Sequence, residues 1–439
     1  MKKLYLISFL LLIAFRPIQA ETLIELYQLA VQNDPKLKIA YQERVAVREK
    51  KHLASAPLAP EVILGANATE TLQTENWLIG NDRESTTIGY DVTLRYPLYR
   101  RNLNIALEQV DSEIKQADAK YESARQALMA KLASRYFDVL AANDNLKFTV
   151  SAKKAFKQQL EEALIRFEVG LLSITDVEEA KAAYDLTVSD EILAQNQIDN
   201  ALESLREVTG RYHRVLATLK EKTPLLPPNP ADVNKWTVMA LEQNPDVLAT
   251  QFAIETAYKE IAKERAANLP TIDLVAKHSY NDVFRGDDNP PGTLTTSNSV
   301  GIQLNYFLFE GGGIRSRTKI AQVRRIQAVD KLEEQRRATQ LQTRQAYWNL
   351  LSNISRVKAL KQALISSETA LKATQKGFEV GTRTSVDVVK AQRDLLRAQS
   401  DYSKVRYDYV VSTVLLKQAA GSLNEEDLVA INKWLQNLN

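Results

Sequence analysis

The sequence predicts an internally duplicated α+β chain in which two pairs of amphipathic strands alternate with very long helices. Three observations carry that class. Motifs return along the chain at an offset of about 210 residues. Four short segments alternate apolar and polar side chains with period two. Two runs of roughly 65 residues contain almost none of the residues that break helices. With 14 Gly, 13 Pro and no Cys among 439 residues, the composition favours long uninterrupted elements.

The first element reads as a secretory signal peptide over residues 1–20. Lys2 and Lys3 form its charged end, Leu4 to Phe15 its apolar stretch and Ala20 its cleavage residue, with Ile18 a less usual choice at minus three. The apolar run of about 12 residues is short for a bilayer span, and no later stretch approaches the ~20 apolar residues that a spanning helix needs. Loss of Lys2, Lys3 and Arg16 with the leader leaves 54 basic residues against 54 acidic ones. A chain so nearly neutral lacks the basic footprint of a nucleic-acid binder. The absence of cysteine excludes disulfides and an acylated N-terminal Cys, so any membrane attachment must come from the strands.

The duplication organises the rest: a first structural repeat over 21–217, a Pro-rich linker over 218–230, a second repeat over 231–421 and a C-terminal short helix within 422–439. Ala30-Val31-Gln32-Asn33-Asp34-Pro35 returns as Ala240-Leu241-Glu242-Gln243-Asn244-Pro245, and Pro60 as Pro270. Leu94-Arg95-Tyr96-Pro97-Leu98-Tyr99 is echoed by Leu304-Asn305-Tyr306-Phe307-Leu308-Phe309, and Tyr136-Phe137 by Tyr347-Trp348. Each copy reads helix, strand, strand, very long helix, return helix. The first helices run near 22–54 and 233–268.

In the strands, Ile88, Tyr90, Val92, Leu94 and Tyr96 alternate with Thr87, Gly89, Asp91, Thr93 and Arg95. Val300, Ile302, Leu304 and Tyr306 do the same, as do Ile272, Leu274, Ala276 and Tyr280; the strand around 62–74 is the weakest. Polar turns fall at Asn81-Asp82 and at 286–292. Lengths of roughly 10 residues suit a tilted membrane strand. Trp77, Tyr96, Tyr99, Phe284, Phe307 and Phe309 suit a lipid–water interface. Taken alone, the strands serve a membrane barrel or a soluble sandwich equally.

The helices decide between them. The runs near 101–168 and 314–379 would each be about 100 Å long. No globular core covers such a rod, so each must pack against other long helices. The return helices near 174–208 and 385–419 are those partners, entered through Gly170-Leu171-Leu172-Ser173 and Gly381-Thr382-Arg383-Thr384. Gly170 and Gly381 supply the conformation that ends a helix. Four strands cannot close a barrel, for which about eight are needed, so several copies must pool theirs.

These features, with the motifs Arg166-Phe167-Glu168-Val169-Gly170-Leu171-Leu172-Ser173-Ile174-Thr175-Asp176-Val177 and Val380-Gly381-Thr382-Arg383-Thr384-Ser385-Val386-Asp387-Val388, resemble the TolC family of outer-membrane efflux and secretion ducts. The match extends over about 21–435. It implies a homotrimer in the outer membrane of a Gram-negative bacterium. Its strands would form a twelve-stranded barrel in outer-membrane lipid, continuous with a long α-helical barrel in the periplasm. It implies passive export of drugs or protein, opened by a periplasmic adaptor and an inner-membrane pump of RND, ABC or MFS type, with no cofactor and no enzymatic activity.

The resemblance also assigns a periplasmic gate at the two helix-tip turns. Thr175 and Asp176 match one side of the family's lock, Arg383 the other, and Gln159 a further link. An Arg fork can bond a carboxylate and a hydroxyl together. Ordinary capping of a helix tip by Thr and Asp is the competing reading for Asp176. Phe378 stands where the lock has a Tyr hydroxyl, so one hydrogen bond is absent or replaced. Asp387 matches the outer of two acidic rings, whereas Lys390 occupies the position of the second. Weaker cation preference and weaker multivalent-cation block follow.

Other candidates carry little chemistry. His52, His213 and His278 fall on separate predicted elements, which disfavours a metal site. Glu310-Gly311-Gly312-Gly313 lacks the Lys-Ser/Thr of a phosphate loop and reads as a joint between strand and helix. A periplasmic adaptor would show a single hairpin, and a soluble coiled-coil scaffold would leave the strand alternation unused.

Overall fold

A computed structural model describes residues 20–75, 81–213, 215–285 and 293–436. Residues 1–19 of the signal peptide, Trp77 and the turn at 286–292 lie outside the described residues. The first repeat contains α1 (Leu23–Asn33), α2 (Pro35–Ser55), β1 (Glu61–Glu75), β2 (Asn81–Tyr99), α3 (Arg101–Glu168) and α4 (Ile174–Thr209). After β3 (Thr218–Leu219) come α5 (Val233–Gln243), α6 (Pro245–Ala266), β4 (Thr271–Arg285), β5 (Thr293–Asn305), α7 (Gly313–Glu379) and α8 (Ser385–Ala419). The described chain closes with α9 (Glu425–Asn432) and β6 (Leu435–Gln436). No helix among the described residues is long and apolar enough to cross a membrane.

The chain forms two compact units. One comprises residues 39–122 and 245–338 and holds the large sheet; the other comprises the described residues up to 38, with 123–244 and 339–436.

In the sheet unit, four antiparallel strands lie in the order β1-β2-β4-β5. The register pairs Leu64 with Val92, Tyr90 with Tyr280 and Leu274 with Ile302. Even-numbered apolar residues therefore share one face, and Val62, Leu64, Ile88, Tyr90, Val300, Ile302 and Leu304 are exposed there within the chain. The opposite face is polar, with Lys277 3.7 Å from Asp91 and Thr93 donating to Asp91 at 3.2 Å. Where β2 passes into α3, Arg100 donates to both carboxylate oxygens of the buried Asp273 at 2.9 and 2.7 Å. This fork locks the strand exit to β4. Among the described residues, β1 and β5 have no outer strand partner.

The helices of this unit meet through polar contacts. Arg44 pairs with Asp118 at 2.6 Å and Lys50 with Glu113 at 3.0 Å between α2 and α3, while Gln109 donates to Glu260 at 2.9 Å between α3 and α6.

The other unit has the deeper core. Leu23, Leu26 and Tyr27 of α1, Leu132, Tyr136 and Phe137 of α3, Leu205 of α4 and Val410 of α8 are buried. The Tyr136 hydroxyl donates to the Ala217 carbonyl at 2.7 Å and the Tyr407 hydroxyl to Asp144 at 2.6 Å. Burial pushes both phenols far up. Asn33 donates to the Thr209 carbonyl and Asn244 to the Ala419 carbonyl, both at 3.0 Å, so each return helix ends on an asparagine from the start of a repeat. His213, which falls on a different element from His52 and His278, is buried between Glu21 (2.6 Å) and Thr209 (2.7 Å).

Several expectations need correction. The helices expected over 22–54 and 233–268 are each broken before a proline, at Asp34 and Asn244. Pro35 and Pro245 push the preceding residue into extended backbone, with ψ of 119° and 124°. The strands run 15, 19, 15 and 13 residues rather than ~10. The apolar alternation marks only part of each strand, and polar residues continue the ladder beyond it. Asn81 and Asp82 belong to β2 rather than to a turn. β5 stops at Asn305, which leaves Tyr306 outside it. Within 218–230, Thr218–Leu219 pairs with Leu435–Gln436, and the helix within 422–439 is confined to Glu425–Asn432.

Candidate functional site

Two hairpins, α3–α4 and α7–α8, carry the predicted gate residues. Gly170 and Gly381 adopt φ of 76° and 79°, a left-handed conformation that costs other residues roughly 1–2 kcal/mol. The Leu171 N–H then reaches the Arg166 carbonyl, and the Thr382 N–H the Gly377 carbonyl, both at 2.8 Å. These six-to-one bonds close the outgoing helix.

Each return helix opens with a capping box. The Ser173 hydroxyl accepts the Asp176 N–H at 3.3 Å, and the Asp176 carboxylate accepts the Ser173 N–H at 3.2 Å. Thr384 and Asp387 repeat this at 3.3 and 3.0 Å. The Thr384 N–H, and after it the Thr384 hydroxyl, holds the Asp387 carboxyl below the usual carboxylate value, with weaker attraction from Arg383 and Lys390.

Toward the tips, two polar contacts join the hairpins. Gln159 of α3 donates to the Ser385 carbonyl of α8 at 3.2 Å. The Arg166 guanidinium of α3 stands 4.8 Å from the centre of the Phe378 ring of α7. This is a cation–π contact at the position where a hydroxyl was missed. Ala152 and Phe156 of α3, Ala183 of α4 and Val389 of α8 form a buried cluster just behind. Ala163, Val177 and Ala180 form another, against which Leu172 packs.

The structure thus brings Gln159 to α8 and Phe378 to Arg166. It does not bring Arg383 to Thr175 or Asp176 within the chain. The Asp176 carboxylate is occupied by the Ser173 hydroxyl at 2.7 Å. The Arg383 side chain lies over Gly377, where an added Cβ would sit 2.7 Å from its Cγ. Lys390 is exposed on α8, three residues after Asp387. Ser385 and Arg166 were missed by sequence reasoning. A link between residues 226 positions apart leaves no local signal, although an aromatic in a polar lock could have prompted a search for a cation.

The sequence model of the outer membrane efflux protein family matches residues 26–211 and 236–422. The chain belongs to that family. It is similar to outer membrane protein TolC of Vibrio cholerae, with 34% identity over 420 residues that cover 95% of this chain and 94% of the relative. It is 29% identical to the alkaline protease secretion protein AprF of Pseudomonas aeruginosa, over 92% of this chain and 85% of the relative. Its fold superposes on the CmeC outer membrane channel of Campylobacter jejuni with a TM-score of 0.79 at 18% identity, over 95% and 90% of the two chains. As a member of the outer membrane efflux family, the chain is an exit duct of the Gram-negative outer membrane for efflux and type I secretion. It is a conduit and not an enzyme, and channels of this family work with adaptor and pump partners.

Proposed function

We propose that three copies, exported with a signal peptide over 1–20, pool their sheets into one twelve-stranded barrel and close its periplasmic end with the α3–α4 and α7–α8 tips. One observation carries the reading: the sheet has an exposed apolar face and, among the described residues, two unpaired edges, β1 and β5. Such edges are a liability unless another strand covers them, and a barrel abolishes edges altogether. The two sequence repeats, 21–217 and 231–421 about the linker 218–230, give each copy two such hairpins.

At the tips, Gln159 holds α8 to α3 in each copy, while Arg383 reaches Thr175 and Asp176 of a neighbouring copy. The exposed Arg383 side chain, which lies over Gly377 and makes no ion pair among the described residues, supports that placement. Such exposed links are worth about 0–1 kcal/mol each, so a few together bias a closed state that an adaptor can overturn. The adaptor would dock on the return-helix tips and on the groove of about 490 Å³ between α3, α4 and α8, lined by Thr149, Leu186, Asp190 and Arg393. The pump would be of RND, ABC or MFS type.

The test is single-channel conductance of the purified protein in a planar bilayer, with wild type beside Arg383→Ala. A low wild-type conductance that rises in the variant is expected. A conductance unchanged by the substitution would remove Arg383 from the lock.

A further inference from the structure

Where the segment joining the two repeats crosses α7 and α8, basic side chains gather without acidic partners. A cavity of about 330 Å³ opens there, lined by Lys222 and Thr223 of the joining segment, Lys358 and Lys361 of α7, and Tyr402 and Arg406 of α8. Glu221 is the one carboxylate that lines it. Lys222, Lys358 and Lys361 are exposed, and none of them makes an ion pair among the described residues.

The duplication shows what has changed. Aligned on Tyr136-Phe137 with Tyr347-Trp348 and on Gly170 with Gly381, the repeats place Ser355 where the first has Asp144, and Tyr402 where it has Glu191. Lys358 keeps the position of Lys147, while Lys361 replaces Val150 and Arg406 replaces Gln195. In the first repeat the charges cancel: Lys147 lies 3.9 Å from Asp144, and Lys153 pairs with Glu191. In the second repeat both acids are gone and two cations have been gained. Lys358 and Lys361 stand one helical turn apart, where like charges repel. A ligand of opposite sign would relieve that repulsion.

The joining segment is pinned in place. The Tyr409 hydroxyl accepts the Leu226 N–H at 2.7 Å and donates to the Pro224 carbonyl at 3.1 Å, and the Thr223 hydroxyl donates to the Lys220 carbonyl at 2.9 Å. The Arg406 guanidinium donates to the same Lys220 carbonyl and stands 5.7 Å from the Tyr402 ring centre. Lys222 is thus carried to the α7 lysines on backbone that is already ordered, so binding costs little further ordering.

We propose that this cavity binds a small free anion carrying two or more phosphate groups, which ties the joining segment to α7 and α8. Four cations against one carboxylate set its sign and valence. Phosphate suits these donors better than carboxylate does. Three of the four are lysines, which act toward phosphate as point charges. The Arg406 fork, which would match a planar carboxylate, is turned to the Lys220 carbonyl and to Tyr402. Every lining residue belongs to one compact unit of a single chain, so the site stands apart from the assembly proposed above.

The test is calorimetric titration of the full-length protein with inorganic pyrophosphate, in nonionic detergent and at low ionic strength, where exposed charges are least screened. Binding to the wild type is expected. Lys358→Ala/Lys361→Ala should weaken it at least about tenfold, as should Tyr402→Glu, which restores the acid of the first repeat. Lys147→Ala, the same substitution in the first repeat, should leave it unchanged. Unaltered circular dichroism would separate loss of the site from loss of the fold. No binding to the wild type, binding retained in both pocket variants, or an equal loss in Lys147→Ala would overturn the site. Citrate and dihexanoyl phosphatidate should each bind more weakly than pyrophosphate. Equal or tighter binding of citrate would overturn the choice of phosphate, and of the phosphatidate the choice of a free anion over a lipid headgroup.

Discussion

The two hairpin tips share one backbone and differ in what their turns expose. Both use a left-handed glycine, a six-to-one bond and a capping box. The α3–α4 turn fills with Leu171 and Leu172, and Leu172 packs against the cluster of Ala163, Val177 and Ala180. The α7–α8 turn carries Thr382 and Arg383 instead. Thr382 bonds back to the Gly377 carbonyl at 3.1 Å, and the exposed Arg383 side chain lies over Gly377 with no ion pair among the described residues. Repetition has kept the elements that shape the turn, while the side chains on it have diverged into an anchor and a free charge. The first tip is built to hold its own hairpin, and the second to reach another surface.

The largest expected effect separates those roles. Leu172→Ala should lower the local opening free energy of the α3–α4 tip by about 2 kcal/mol, as measured by hydrogen exchange, with conductance little changed. Arg383→Ala should do the reverse, raising the open population about fivefold for each ~1 kcal/mol of lost closure. If Leu172→Ala opened the channel as readily, the division between anchor and free charge would fail.

A second contrast concerns the caps. Ser173→Ala and Thr384→Ala should each destabilise the start of their helix by about 1 kcal/mol, and equally, because both boxes have the same geometry. A much larger loss at one tip in hydrogen exchange would show that its cap also holds a neighbour. Gln159→Ala should cost less, about 0.5–1.5 kcal/mol, and should loosen α8 rather than α4.

Ion block tests the second tip further. Replacing Lys390 by Asp would surround Asp387 with acid one helical turn away, so block by a trivalent cation should tighten on the order of tenfold. Nanomolar block of the wild type would contradict the weakening assigned to Lys390.

The smallest effect is a pH dependence at the α7–α8 tip. Asp387 has a folded value below its ordinary 3.8, so the capping contribution is fully present above that value. It is lost as pH falls through the lower folded value. Open probability of the wild type should therefore rise only below about pH 4, and the rise should vanish in Asp387→Asn. An equal acid response in Asp387→Asn would place the titrating group elsewhere.

How much was legible depends on how local the signal is. The bounds of α8 and the start of α4 could be read directly, because capping residues and turn glycines act within one helical turn. Pro35 and Pro245 were equally visible, yet the breaks they cause were passed over in favour of the longer pattern. The β3–β6 pair had no readable signal: two residues are too few for alternation, and their partners lie at the far end of the chain. Among gate residues, the turn glycines were readable from the sequence pattern, whereas Asp176 and Asp387 entered through the family resemblance, with capping weighed only for Asp176. The Gln159–Ser385 bond and the Arg166–Phe378 contact were not readable, since each depends on how two separate helices face one another.

By itself, the sequence determined the repeated order of elements, the apolar face of each strand and the residues that end each helix. These are properties of neighbours along the chain, set by backbone sterics and by side-chain period. Only the tertiary structure decided that Asp176 turns back on Ser173, that Arg383 is left over Gly377, and that Lys222 joins Lys358 and Lys361 at one cavity. Those outcomes depend on which helix lies beside which, and a side chain gains or loses a partner only when a distant segment arrives next to it.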